Sequence, residues 1–260
     1  MSFEIKRIMT TLVNINQKGG VGKTTNTIHL GADLSSRGFK VLLIDLDPQC
    51  SLTEGTGAQL DGYTIVDFLA LEPNFNATKR SDNYFILSGD IDFLAHKYNR
   101  KALHNAIHSK IFNLKDHFDY ILLDVPPQGI IDDFVVPAEL ALMASDYFVT
   151  CIKPDLYSIT NLDRFLERIF KFKENFHPRL GFAGVYFCDV LITKKLFAKY
   201  YKEVQDNAPD LLFKTFIRQD ADIANSADVG QTIFQYNPNS RAAQDYRDLT
   251  DELLKNIKNG

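Results

Sequence analysis

Uninterrupted apolar runs that end in a carboxylate constrain this chain more than any other feature of its sequence. Residues 41–44 are followed by Asp45, and the run at residues 120–123 is followed by Asp124. Strands that are apolar on both faces occur almost only in parallel sheets whose two faces are both covered by helices. Segments with helical periodicity separate the runs, so the sequence predicts an α/β fold with a mostly parallel sheet flanked by helices on both faces. Further segments predicted as strands, without a terminal carboxylate, are residues 8–15, 147–152 and 184–187.

Length and composition restrict the number of domains and the compartment. The chain has 260 residues, 45% of them hydrophobic, which is enough for a sizeable core. It contains neither an internal repeat nor a long linker, so we expect one domain over residues 1–260, with a surface insertion at residues 72–92. Its three cysteines are widely spaced, which is typical of a reducing compartment, and no apolar run could span a membrane. We therefore expect a cytoplasmic protein.

The segment Gln-Lys-Gly-Gly-Val-Gly-Lys-Thr-Thr, residues 17–25, follows a predicted strand and opens a predicted helix. Its glycines let several backbone N–H groups turn toward a phosphate, and the helix N-terminus adds partial positive charge. Lys23 would supply a point charge for the β- and γ-phosphates, and Thr24 a hydroxyl ligand for Mg²⁺. The predicted nucleotide-binding residues are Lys18, Gly19, Gly20, Val21, Gly22, Lys23, Thr24, Thr25 and Asp124.

Carboxylates follow two of the predicted strands. Asp45 and Asp47 alternate at the end of the run at residues 41–44, so both fall on one side of an extended chain. Asp124 ends another apolar run, and a proline pair follows one residue later. A hydrophobic strand with a terminal aspartate is the arrangement that holds Mg²⁺ through its water shell in phosphate-loop enzymes. The pattern therefore predicts Thr24 and Asp124 as metal-site residues, and it places Asp45 and Asp47 where a metal or a water could bind.

The segment K-G-G-V-G-K-T-T resembles the deviant Walker A motif of the ParA/MinD ATPases, and D-L-D-P-Q at residues 45–49 resembles that family's second phosphate-site motif. The stretch at residues 236–246 is similar to the segment that opens the last helix of ParA proteins. The resemblance implies ATP hydrolysis with Mg²⁺. It implies that Lys18 reaches across a nucleotide-sandwiched homodimer, and that Asp47 positions the attacking water. It also implies that Asp45 supports Mg²⁺ and its waters, so that the predicted metal site consists of Thr24, Asp45 and Asp124. Its predicted catalytic residues are Lys18, Lys23 and Asp47.

The resemblance to ParA also implies a biological role. ATP binding would drive dimerisation and non-specific DNA binding, and a ParB-type centromere-binding protein would stimulate hydrolysis, segregating plasmid or chromosomal DNA. It assigns DNA contacts to Arg218 and Arg241 and predicts a nucleoid-associated protein. The net charge is −4, and residues 191–260 contain ten basic and ten acidic residues, so we expect weak, salt-sensitive DNA binding.

Two alternatives stay open at this point. One is a related MinD-like or McdA-like positioning ATPase that acts on a protein or membrane cargo, and the other is a phosphate-loop metabolic enzyme. Membrane anchoring needs a C-terminal amphipathic helix with bulky apolar and basic faces. Residues 251–260 contain three large apolar side chains and begin with two acids, which argues against an anchor.

Overall fold

The computed structural model describes residues 9–60, 62–70, 75–93, 100–130 and 135–259. Within these residues, seven strands form one sheet in the order β3-β4-β2-β5-β1-β6-β7. All neighbouring strands are parallel except β3 and β4, which pair antiparallel. The strands are β1 (Thr10–Asn14), β2 (Val41–Asp45), β3 (Thr78–Ser81), β4 (Tyr84–Leu87), β5 (Tyr120–Asp124), β6 (Tyr147–Ile152) and β7 (Gly181–Phe187).

Helices connect these strands and cover the sheet. In chain order they are α1 (Lys23–Ser36), α2 (Ser51–Gly55), α3 (Ile65–Leu69), α4 (Arg100–Phe112), α5 (Pro137–Ala144), α6 (Leu156–Thr160), α7 (Leu162–Phe176), α8 (Lys195–Asn207), α9 (Ala221–Asp228), α10 (Ile233–Tyr236) and α11 (Arg241–Asn259).

Successive strand residues pack on opposite faces of the sheet. Ile121 and Leu123 of β5 belong to a core cluster with α3, α4, α5 and α7, whereas Leu122 packs on the other face with α1 and α11. Each of these three side chains is at most 3% exposed. Full burial of a leucine or isoleucine contributes about 1.5–3 kcal/mol, so both layers are strongly attached to the sheet. The predicted fold class is confirmed.

The prediction of a surface insertion at residues 72–92 is wrong for the part that the structure describes. Residues 72–74 lie outside the described residues, but β3 and β4 occupy most of the rest. Strand β4 pairs with β2, and its Ile86 and Leu87 are fully buried. The apolar run is short and polar residues precede it, so the sequence pattern does not indicate that β4 is part of the sheet, between β2 and β3.

The order of the strands places β1 between β5 and β6 in the middle of the sheet. The carboxyl ends of β1, β2 and β5 therefore lie side by side at one edge. Ligands of open α/β sheets bind outside this edge. The fold thus brings together the loop after β1, the carboxylates after β2 and the aspartate that ends β5.

Candidate nucleotide-binding site

The loop between β1 and α1 turns back on itself at two glycines. Gly20 has a φ of 68° and Gly22 a φ of 90°, and residues that carry a Cβ rarely adopt these backbone conformations. Between them, the buried Val21 carbonyl accepts hydrogen bonds from Cys188 Sγ at 2.7 Å and Cys151 Sγ at 3.4 Å. Gly22 offers no side chain to cap α1, so the first N–H groups of that helix are left for a ligand.

Lys23 is the first residue of α1, and its side chain is largely enclosed. The residue is 6% exposed, and its Nζ donates to the Lys18 carbonyl oxygen at 3.3 Å. Burial lowers the pKa of Lys23, while the charges of Cys151, Asp124 and Asp47 act in the opposite direction. An ammonium group taken out of water at this cost is stabilised by a phosphate placed in the loop.

Asp124 and Thr24 meet at the carboxyl edge of the sheet. Thr24 Oγ1 donates to Asp124 Oδ2 at 2.7 Å. The other carboxylate oxygen, Oδ1, is buried and lacks a hydrogen-bond partner among the described residues. Such an atom is costly in a folded protein unless a ligand, ion or water satisfies it. Burial and the neighbouring Asp45 raise the pKa of Asp124, and a cation would reverse that effect.

Oxygen donors of this kind fit Mg²⁺, which proteins hold through one or two carboxylates and the substrate phosphates. Among the described residues, no three His, Cys, Asp or Glu side chains are arranged as a metal site by themselves. A cation here would therefore depend on nucleotide oxygens in addition to Thr24 and Asp124.

Asp45 lies beside Asp124 in the β2–β5 register, but its carboxylate already has protein partners. Oδ2 accepts from Thr53 Oγ1 at 2.7 Å and Thr53 N at 3.0 Å, and Oδ1 accepts from Asp47 N at 3.1 Å. Burial raises the pKa of Asp45 to about 6. These bonds hold α2 and the loop that carries Asp47 in place, so Asp45 supports the predicted metal site indirectly, through the backbone around it. The sequence gives no signal for Thr53.

Asp47 lies in the loop that follows β2, close enough to Lys23 and Asp124 to affect their pKa values. It is 7% exposed, and its Oδ1 accepts from Gln49 N at 2.9 Å. The structure thus gathers Lys23, Thr24, Asp45, Asp47 and Asp124 at one edge of the sheet.

Lys18 is held within its own chain. Its Nζ lies 2.7 Å from both carboxylate oxygens of Asp155 and donates to Ser158 Oγ at 3.1 Å. Partial burial would raise the pKa of Asp155, but the hydrogen bonds from Lys18 and Ser158, together with the charge of Lys18, lower it overall. Asp155 also caps α6 by accepting from Ser158 N. The sequence reasoning missed this partner, because 137 residues separate it from Lys18.

The two arginines predicted to contact DNA line a cavity of about 680 Å³ beside the loop. Arg218 Nε donates to the two carboxylate oxygens of Asp245 at 2.9 and 3.1 Å, and Arg218 Nη2 also donates to Asp245 Oδ1. Arg241 donates to the Gln219 carbonyl oxygen at 3.0 Å and pairs with Asp220 at 3.5 Å. A cavity of this size suits the base and sugar of a nucleotide. The DNA contacts of both arginines stay a prediction.

The loop, the buried lysine and the carboxylates at the strand ends define a phosphate-loop nucleotide-binding protein. A family model described as AAA domain matches residues 9–182. The chromosome-partitioning ATPase Soj of Treponema pallidum is 30% identical over 254 residues, covering 94% of this chain and 96% of that protein. A ParA family protein of Chlamydia trachomatis is 32% identical over 265 residues, covering 96% of this chain and all of its own length. The chain belongs to the Soj/ParA family of partition ATPases.

A solved structure with the same architecture is the septum site-determining protein MinD of Pyrococcus horikoshii, complexed with Mg-ADP. It has a TM-score of 0.75 at 22% identity, covering 96% of this chain and 99% of that one. This likeness confirms the predicted fold class. None of the helices in the described residues is both long and apolar enough to cross a bilayer.

Proposed function

We propose that this protein is an ATP-dependent partition ATPase. ATP and Mg²⁺ bind at the phosphate loop, ATP binding drives homodimerisation and non-specific DNA binding, and a ParB-type partner stimulates hydrolysis. The observation that carries the proposal is the buried Asp124 Oδ1, which has no partner in the described part of the chain and lies next to Thr24 and a buried Lys23. Family membership supports the same activity.

Each residue has a separate task in this mechanism. The N–H groups of the loop and the Lys23 ammonium hold the β- and γ-phosphates. Thr24 and Asp124 hold the cation, which supplies charge neutralisation on the phosphoryl oxygens when bound. Asp47 orients the attacking water, and Asp45 keeps the Asp47 loop in place. Lys18 of the opposite subunit adds positive charge where the transition state gains negative charge.

In the proposed mechanism, the contact between Lys18 and Asp155 links dimerisation to catalysis. In the single chain, the Lys18 ammonium is fully engaged by Asp155 and Ser158. Delivery of Lys18 to another subunit therefore requires this contact to open. Slow turnover by isolated chains follows, because the second cation is absent from their sites.

The test measures mass and DNA binding together. With ATP and Mg²⁺, wild-type protein should form dimers in light scattering and shift a random-sequence duplex in a gel. Asp47→Ala should keep both properties while its hydrolysis falls about 100-fold, as expected for a residue that handles the attacking water. The matched control is Asp82→Ala, because Asp82 lies in the turn between β3 and β4 and should leave turnover unchanged. Normal hydrolysis by Asp47→Ala would remove its assigned role.

The two alternatives give different results in the same assays. A membrane-positioning ATPase would co-sediment with liposomes in the presence of ATP and would leave the duplex unshifted. A metabolic phosphate-loop enzyme would bind ATP without binding either DNA or vesicles. Either result would overturn the partition proposal while leaving the nucleotide site intact.

A further inference from the structure

A row of lysines lies along the exposed face of α8. Lys195, Lys199 and Lys202 follow one another at spacings of four and three residues, which places them on one side of a helix. Lys194 directly precedes the helix. The opposite side of α8 is buried against the sheet through Phe197, Tyr200 and Val204. We call Lys194, Lys195, Lys199 and Lys202 the lysine face.

The lysine face is strongly positive in a chain whose net charge is negative. Residues 191–202 contain four lysines and no acid, whereas the whole chain carries a net charge of −4. In the described part of the chain, none of the four lysines pairs with a carboxylate. Lys199 Nζ lies 5.0 Å from the centroid of the Tyr200 ring, an arrangement that leaves its charge available. This surface therefore keeps its positive charge for a partner.

Arg218 and Arg241 differ from the lysine face in this respect. Asp245 and Asp220 partly neutralise them, and both arginines border the nucleotide cavity. A phosphate of DNA would have to compete with these carboxylates for the guanidinium groups. Glu203 and Asp206 follow Lys199 and Lys202 by four residues on α8, but no described carboxylate lies within ion-pair distance of the α8 lysines.

The lysine face lies next to the edge that carries the nucleotide. Helix α8 follows β7, and Val190, between the two, pairs with the backbone on both sides of Arg218. Just before it, Asp189 pairs with Lys153, which lines the cavity. The residues that line the cavity are thus connected to the start of α8 through the Lys153–Asp189 pair, the backbone bonds of Val190 and a short stretch of chain.

The dimensions of the lysine face suit a polyanion. Lys195 and Lys202 are seven residues apart, or about 10 Å along the helix axis. Duplex DNA carries one negative charge per about 1.7 Å of its axis, so the row faces on the order of six phosphate charges. Three ammonium groups without hydrogen-bond acceptors of their own can contact phosphates but cannot read bases by a donor–acceptor pattern.

We propose that the lysine face of α8 is the surface through which this protein binds the backbone of duplex DNA, and that it contributes more to this binding than Arg218 and Arg241. The inference rests on the proposed function, because it takes ATP-dependent DNA binding as given. Dimerisation brings a second lysine face into the same complex. Weak contacts on two faces then add, so binding becomes measurable when ATP joins two chains.

The test replaces Lys195, Lys199 and Lys202 together by glutamine, K195Q/K199Q/K202Q. The control, K79Q/K101Q/K115Q, removes the same charge from exposed lysines on β3, on α4 and after α4. Affinity for a 30-base-pair random duplex is measured between 50 and 200 mM salt with a non-hydrolysable ATP analogue and Mg²⁺. The test variant should bind at least tenfold more weakly at 50 mM salt, and its salt slope should fall by about 2 to 3 per chain. The control should stay within threefold of wild type.

The outcomes separate this inference from the proposed function. If wild-type protein with the ATP analogue bound does not bind the duplex, the proposed function is refuted. A wild-type protein that binds, with the test variant and the control weakened equally, would refute the assignment to the lysine face alone. Retained dimerisation and basal hydrolysis in the test variant confirm that it folds. Loss of binding to phosphatidylserine vesicles, with DNA binding unchanged, would make the lysine face a membrane contact and overturn the proposal.

Discussion

The carboxyl edge of the sheet and the cavity wall formed by Arg218 and Arg241, here called the arginine wall, are both rich in charged residues. The two regions differ in whether these charges have partners. At the edge, the Lys23 ammonium is buried with a carbonyl partner at 3.3 Å, and Asp124 Oδ1 lacks a partner among the described residues. In the wall, Asp245 binds the Arg218 guanidinium through both of its oxygens. Charges without a matching partner indicate a ligand, and matched charges indicate local structure. Residue type alone does not distinguish the two cases.

The largest effect that this comparison predicts is the loss of nucleotide binding in Lys23→Ala. The substitution removes the buried cation that faces the phosphates, so ATP affinity should fall at least 100-fold, about 2.7 kcal/mol. Titration calorimetry with Mg-ATP measures it. Lys115→Ala, at an exposed lysine far from the loop, is the control and should bind as wild type does. A Lys23→Ala protein within threefold of wild type would contradict the assignment of the loop.

A pH-dependent effect of intermediate size should distinguish the carboxyl edge from the wall. The pKa of Asp45 is raised to about 6 in the folded protein, compared with a value near 4 in the unfolded chain. Burial of the charged carboxylate therefore lowers the free energy of unfolding above pH 6, and this loss is absent below pH 4. A bound cation offsets this cost only where the carboxylates are ionised. The stabilisation by Mg-ATP should therefore be larger at pH 7.5 than at pH 5.5, by about 3 °C in the unfolding midpoint for a tenfold difference in affinity.

The quantity to compare between the two pH values is the rise in unfolding midpoint caused by Mg-ATP, not the midpoint itself. The midpoint also depends on another buried group, which changes stability with pH in the opposite direction to Asp45. Burial lowers the pKa of His29 to about 3, so protonation of this residue in the unfolded chain destabilises the fold as the pH falls below about 6.5. That contribution is present with and without nucleotide, and it cancels in the increment. An increment that stays constant from pH 5.5 to 7.5 would show that the carboxylates do not take part in binding the metal.

The smallest effect concerns the arginine wall. Arg218→Gln leaves the buried Asp245 carboxylate without its cation, so the free energy of unfolding should fall by about 1–2 kcal/mol. DNA affinity should stay within twofold of wild type, because the guanidinium is already matched. Arg241→Gln is the comparison variant, since this arginine is half exposed and should cost less than about 0.5 kcal/mol. Chemical denaturation and the duplex titration measure both; a tenfold loss of DNA affinity in either variant would reverse the ranking of the two surfaces.

The parts of the site that depend on neighbouring residues could be predicted from the sequence. Loop residues 17–25 and the strand-terminal Asp124 follow local patterns of spacing and hydrophobicity, and the structure places them as that pattern implies. Strand β4 was missed although the four apolar residues at 84–87 were visible, because polar neighbours made the whole segment look irregular. Its partner β2 supplies the context that the local pattern lacks.

Contacts between distant segments could not be predicted. Thr53 binding to Asp45, Cys188 binding to the Val21 carbonyl and Asp155 binding to Lys18 all depend on how the sheet is ordered. The resemblance to ParA correctly gave the family, but it carried Arg218 and Arg241 over as DNA contacts without their partners. Asp245 becomes visible as the partner of Arg218, and Asp220 as the partner of Arg241, only once α11 is folded against the segment at residues 217–220.

The ion pair between Lys18 and Asp155 has a consequence for the concentration at which chains associate. In the proposed dimer, one ammonium group cannot satisfy Asp155 and a phosphate of the other subunit at the same time, so each dimer would exchange two internal ion pairs for two external ones. Ion pairs whose side chains are 36% exposed, as both are here, contribute about 0–1 kcal/mol each. Two of them shift the association constant by up to about 30-fold. In the proposed mechanism, the carboxylate at position 155 therefore raises the protein concentration above which ATP produces dimers by up to this factor.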